Sequence, residues 1–216
     1  MLNGNIENEI LDTNKEEALR QISEIKSHLV DKQTFFPYNY TAMYVWSVIS
    51  VLMTFLMIPM YEVSVLQGTF VSFVLISFGF ISEGFMTKKA NQSYDIEDCT
   101  LRQQFIMKNF VMLSLFAIVM SAVLASYKLY VPMFLTWLFL ISFGFFAIGF
   151  VLNIERFTKI AKFNVFSSIL LLGIGYLNHT LVGSTHTYVY VVQIFMVLGL
   201  GVMPAVTAWQ QKRDGC

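Results

Sequence analysis

The sequence predicts an all-α membrane protein, six transmembrane helices arranged as three repeated helical hairpins and preceded by an N-terminal cytoplasmic amphipathic helix. Three observations carry that reading. Hydrophobic residues make up 56% of the chain and charged residues 13%, whereas about a quarter of an average soluble chain is charged. The apolar residues fall in runs long enough to cross a hydrocarbon core, which takes about 20 residues of helix. Thirteen of the fourteen Lys and Arg residues lie on alternate connections between those runs, the positive-inside signature. Backbone groups in lipid must be satisfied within the segment, so each run is a helix. Continuous apolar runs also exclude the alternating pattern of a membrane barrel.

The first 39 residues form a polar, acidic arm. Within it, residues 13–31 read "TNKEEALRQISEIKSHLVD". Thr13 with Glu16 three residues on has the form of a capping box, a helix start. Ala18, Ile22, Ile25 and Leu29 then recur at helical spacing and make one apolar stripe. Two readings are open for it. The stripe lies on the bilayer surface or on the cytoplasmic loops, or it serves self-association or the docking of a cytoplasmic protein partner. Pro37 ends the arm, because the residue before a proline avoids helical geometry. The arm has no signal-peptide pattern, so the first span is expected to act as the insertion signal.

The spans read as 40–60, 68–86, 105–126, 130–152, 163–177 and 188–209, pairing into hairpins 40–86, 105–152 and 163–209, with a short tail at 210–216. The fifth is short and carries Asn164, Gly173 and Gly175, so a tilted, kinked or re-entrant segment is open there. Cations cluster before span 1, between spans 2 and 3, between spans 4 and 5, and after span 6; Lys128 alone lies on the other side. Both termini are therefore expected in the cytoplasm, as an even number of spans requires. Tyr61, Tyr127, Tyr130, Tyr176, Tyr188 and Tyr190 crowd the opposite side, where amphipathic rings sit among headgroups. The expected location is a bacterial inner membrane, and the lipid bilayer is the first partner. A formal net charge of zero gives no reason to expect a nucleic-acid partner.

The chain also repeats itself. "LISFGFISEGF" at 75–85 and "LISFGFFAIGF" at 140–150 match at 8 of 11 positions. A fainter copy, "MVLGLGVMP", sets Gly199 opposite Gly79 and Gly144, with Pro204 where Gly84 and Gly149 stand. Small residues let helix backbones approach closely in membranes. Gly79, Gly84, Gly144, Gly149 and Gly199 are therefore the expected helix-packing positions, with Gly79, Gly144 and Gly199 at the seams where hairpins meet. This architecture, with its glycine-bearing second arm, resembles the six-span HdeD-type acid-resistance membrane proteins of bacteria. The stretch "EALRQISEIKSHLV" resembles bacterial six-span proteins with a juxtamembrane helix. Neither resemblance assigns a functional residue.

Chemistry in the spans is sparse. Charged residues within spans are costly and count as functional candidates. Glu83 breaks the repeat, since its counterparts are Ile148 and Met203. Two readings stand: an interfacial carboxylate beside Lys88 and Lys89, or a buried site for a proton or cation. A pair with Lys108 is a further expectation. Gln193 is expected to hydrogen-bond across helices. His179, His186 and Glu62 border the outer loop without a metal-fixing spacing, and Cys99 and Cys216 form no metal or redox motif. No nucleophile elbow, HExxH or P-loop is present, so no catalytic residue, metal or cofactor is expected. The functional expectation is a non-enzymatic protein acting by binding, as sensor, regulator or accessory subunit through its cytoplasmic helix. The alternative is a small transporter or channel.

Overall fold

The computed structural model describes residues 17–25, 39–92, 101–151, 154–184 and 187–214. The chain divides into two units, 1–37 and 38–216. In the first, residues 17–25 form a helix with Leu19, Ile22 and Ile25 exposed. Ala18, Ile22 and Ile25 of the expected stripe thus lie on a helix; Leu29 and the Thr13–Glu16 cap fall outside the described residues. The acidic loop residues Asp95, Glu97 and Asp98, both cysteines and His186 also fall outside them.

The second unit is a bundle of six helices, each long and apolar enough to cross a membrane. They are α1 (Tyr40–Val63), α2 (Val65–Gln92), α3 (Leu101–Ser126), α4 (Tyr130–Val151), α5 (Glu155–Leu177) and α6. The last is built of Thr187–Met196, a wider π-type stretch Val197–Val202, and Met203–Asp214.

Local chemistry sets the joints. One residue separates α1 from α2. Ser64 takes an extended conformation that stops α1, and its hydroxyl accepts from the Gln67 N–H at 3.0 Å to start α2. Between α3 and α4 the chain reverses through Lys128 at φ 56°, and the Leu129 N–H returns to the Leu124 carbonyl at 2.9 Å. That left-handed residue with a six-to-one bond is a helix-stopping geometry.

α5 is no half-helix. It begins at Glu155, eight residues before the expected start, and is 23 residues long, about 34 Å at 1.5 Å per residue. Phe157, Ile160, Ala161 and Asn164 are buried along one stripe, while Lys159 turns outward to pair with Glu155 at 3.2 Å. The cations of "ERFTKIAK" hide this amphipathic first turn from a reading by hydropathy.

α4 is the central helix. Half of its most apolar stretch is buried, against 22% in α2, which lies at the margin. α4 packs along both α3 and α5, α1 packs along α2 and α6, and the seams α2–α3 and α5–α6 are thinner. α5 thus lies more against α4 than against α6, its expected hairpin partner.

Two of the three expected seam glycines, Gly79 and Gly144, face the partner helix of their own hairpin, and Gly199 faces both its own hairpin and α4. A methyl group on Gly79 would strike the Trp46 ring of α1 at 2.6 Å, and one on Gly144 would strike Phe110 of α3. On Gly199 it would strike Asn164 of α5, with Leu138 of α4 at 2.9 Å. In each case the second helix of a hairpin receives a large or polar side chain from the first helix of the same hairpin. Gly149 faces Thr158 across the α4–α5 joint, and Gly84 faces open space. The glycine grooves of α2 and α4 are filled from within their own hairpins.

Candidate functional site

The π-type stretch of α6 follows from Pro204. In a π turn each N–H reaches back five residues, as Met203 does to the Leu198 carbonyl. The next donor would be Pro204, which has no N–H, so the Gly199 carbonyl loses its partner. Asn164 replaces it: its side-chain Nδ2 donates to the Gly199 oxygen at 3.1 Å from a fully buried position. An orphan buried carbonyl costs about 1–3 kcal/mol, so Asn164 is a structural residue of α6 as much as of α5.

Gln193, half-buried on α6, donates from Nε2 to the Thr54 carbonyl of α1 at 2.9 Å. Thr54 precedes Phe55, whose carbonyl lacks a helical donor because Pro59 stands four residues on. Trp137 of α4 donates its indole N–H to Ser121 of α3 at 2.7 Å, and Ser121 in turn donates to the Ala117 carbonyl. These three links pin α5 to α6, α6 to α1 and α4 to α3.

Among them lies a partly open cavity with about 740 Å³ of unfilled space, the open mouth included, in which water-sized atoms can centre over about 50 Å³. That narrower volume suits a few waters or one slender group. α1 supplies Met43, Trp46, Ile49, Ser50, Met53 and Met57, and α2 supplies Ile76 and Glu83. Phe110 and Ser114 come from α3, Trp137, Ile141, Phe145 and Ile148 from α4, and Met196, Leu200 and Pro204 from α6. The wall is thus methionine, aliphatic and aromatic, with one ionisable group.

That group is Glu83. It sits half-buried near the cation-bearing end of α2 and accepts from the Trp46 indole N–H at 2.8 Å. Trp46 is held on its other side by the edge of Phe80, with ring centroids 4.9 Å apart at 72°. Lys88, Lys89 and Lys108 are exposed. Among the described residues no ion pair joins Glu83 to any of them, and its second oxygen has no hydrogen-bond donor. The expected Glu83–Lys108 pair is therefore replaced by an indole–carboxylate pair. Lys88 and Lys89 lie five and six residues further along α2, off the face that carries Glu83.

The equivalent positions of the repeated stretches converge on this cavity. Ile76, Ile141 and Met196 each stand three residues before a repeat glycine, and all three line it. Glu83 and Ile148, each four residues after one, line it too.

The opposite end of the bundle is a knot of short connections. Ser184 donates to the Glu62 carboxylate, and the Gly183 N–H donates to the Lys128 carbonyl at 2.8 Å. Among the described residues no three of His, Cys, Asp or Glu come together as a metal would need.

Trp46 and Asn164 are the site residues that sequence reasoning missed. Trp46 read as an ordinary span residue and Asn164 as a blemish in a short helix. Their partners, 37 and 35 residues away, appear only in the folded bundle. Pro204 was the visible signal that α6 would need an outside donor. No protein-family model, curated protein or solved structure matches the chain.

Proposed function

We propose that this is a multi-pass protein of a bacterial inner membrane, with both termini cytoplasmic. On this reading it is non-enzymatic and acts by binding, as a sensor, regulator or accessory subunit. The cavity between the helices takes a small ligand, and the arm helix with its Ala18, Ile22 and Ile25 stripe is the contact to a protein partner or a second copy. The observation that carries the reading is the cavity itself: one carboxylate and two serines in a wall of apolar side chains, with no succession of polar groups. Ion and solute paths need such groups along their length. The three-hairpin repeat is supported by Ile76, Ile141 and Met196 converging on one space.

The test is purified protein in detergent and in vesicles. Neopentylbenzene, an uncharged apolar molecule, is expected to raise the thermal stability of the protein. That rise should disappear in Ser114→Phe, which fills the space. Proteoliposomes are expected to pass sodium, potassium and small amines no faster than protein-free vesicles. Flux above that background would favour the transporter or channel reading instead.

A further inference from the structure

We infer that the ligand of this cavity is a small lipophilic organic cation, a quaternary or tertiary ammonium carrying an apolar group. The inference rests on the proposal that the cavity binds a ligand, and it names that ligand's class. A carboxylate is stabilised in apolar surroundings only by a partner. Glu83 has one hydrogen bond, from Trp46 at 2.8 Å. The wall contains no Lys, Arg or His to neutralise it. A cationic ligand would supply the counter-charge that this wall lacks.

The rest of the wall says what kind of cation fits. A metal ion or a primary ammonium demands several oxygen acceptors to replace its water. Beside Glu83 the cavity offers two serine hydroxyls and no further carboxylate. It offers instead the rings of Trp46, Phe110, Trp137 and Phe145. Trp137 has already committed its N–H to Ser121, so its contribution to a ligand is the ring. Aromatic rings around a carboxylate attract weakly hydrated cations, and quaternary ammonium groups above all. The four methionines among the lining residues adapt to irregular apolar shapes, as the tail of such a ligand needs. The space is partly open, and water-sized atoms can centre over about 50 Å³ of it, room for one slender group.

Binding of benzyltrimethylammonium to the full chain in detergent, followed by tryptophan fluorescence and thermal shift, tests the inference. Its comparator is neopentylbenzene, the same shape with carbon in place of the charged nitrogen. Saturable binding of the cation is expected, about tenfold or more tighter than that of the comparator. Glu83→Gln keeps an acceptor for Trp46 and should remove that preference while leaving helicity and elution profile unchanged. Glu83→Asp, which keeps the charge, should retain it. Equal binding of both compounds, indifferent to Glu83→Gln, would overturn the cation assignment and leave the cavity as a general apolar site. Binding of neither compound would overturn the ligand-binding proposal as well.

Discussion

Replacing Gly79 by alanine puts the packing within the first hairpin to a direct test. The added methyl carbon would lie 2.6 and 2.7 Å from two ring carbons of Trp46 and 2.9 Å from the end of Ile49. All three are well inside ordinary contact. Ile49 can rotate away, but Trp46 is held by the Glu83 carboxylate at 2.8 Å and by the edge of Phe80. To admit the methyl, the indole must shift and lengthen or lose that hydrogen bond. Overpacking of this kind costs about 1–3 kcal/mol, and part of a charge-assisted hydrogen bond worth about 1.5–3 kcal/mol goes with it. The control lies five residues along the same helix. Gly84→Ala meets nothing within 4 Å and removes a flexible glycine, a gain of about 0.5–1 kcal/mol in a helix interior.

Unfolding by SDS titration from neutral micelles, read by circular dichroism, should therefore separate the two variants by about 2 kcal/mol or more, with Gly79→Ala the weaker. In a Trp46→Ala background the ring is gone, and Gly79→Ala should lose most of its cost, a coupling the double-mutant cycle measures. Equal stability of Gly79→Ala and Gly84→Ala, or a cost that persists without Trp46, would refute the assignment of the glycine groove to the indole.

Three further outcomes are expected. Asn164→Leu leaves the Gly199 carbonyl without a donor and should cost about 1–3 kcal/mol in the same titration. Gln193→Leu gives up an interhelical bond to Thr54, and its cost should be smaller, about 1 kcal/mol. Reporter fusions at Ala90 and after Arg213 should both report a cytoplasmic location, with a fusion at Lys128 reporting the outside; an outward report from Ala90 or Arg213 would reverse the proposed topology.

Much of the fold was legible because it depends on residues close together in sequence. Run length, apolar content and turn residues all act locally, so the six helices stand where hydropathy put them. The largest boundary shift, the start of α5, fell where cations alternate with apolar residues on a helix whose buried stripe is narrow. The glycines were recognised as packing positions, but their partners were not. Nothing local tells whether a glycine groove will receive a neighbour from the same hairpin or the next. The same limit applied to the polar residues. Gln193 stood out because it is long, polar and deep in a span. Asn164 did not, because its task is created by Pro204 forty residues later, through a carbonyl that no sequence displays as unsatisfied. Glu83 stood out by comparison with Ile148, and that difference marked the cavity although Trp46, which holds it there, went unremarked.

The arrangement of the repeated positions bears on the choice between binding and transport. Ile76, Ile141 and Met196 come from three different helices and line one space, and Glu83 lies seven residues beyond Ile76 on α2. Seven residues of helix are about 10 Å. In the proposed orientation the carboxylate stands toward the cytoplasmic end, and the layer of two isoleucines and a methionine stands about 10 Å deeper in the membrane. A cation that reached Glu83 would keep its counter-charge there. To continue it would have to leave that charge and pass an apolar layer with no acceptor, where conduction requires binding weak and repeated enough to hand the ion onward. Three side chains line the space at the Ile76 level, and Glu83 and Ile148 line it at the other. A carboxylate in only one copy therefore makes a single site, whereas a path would need polar residues at this layer too.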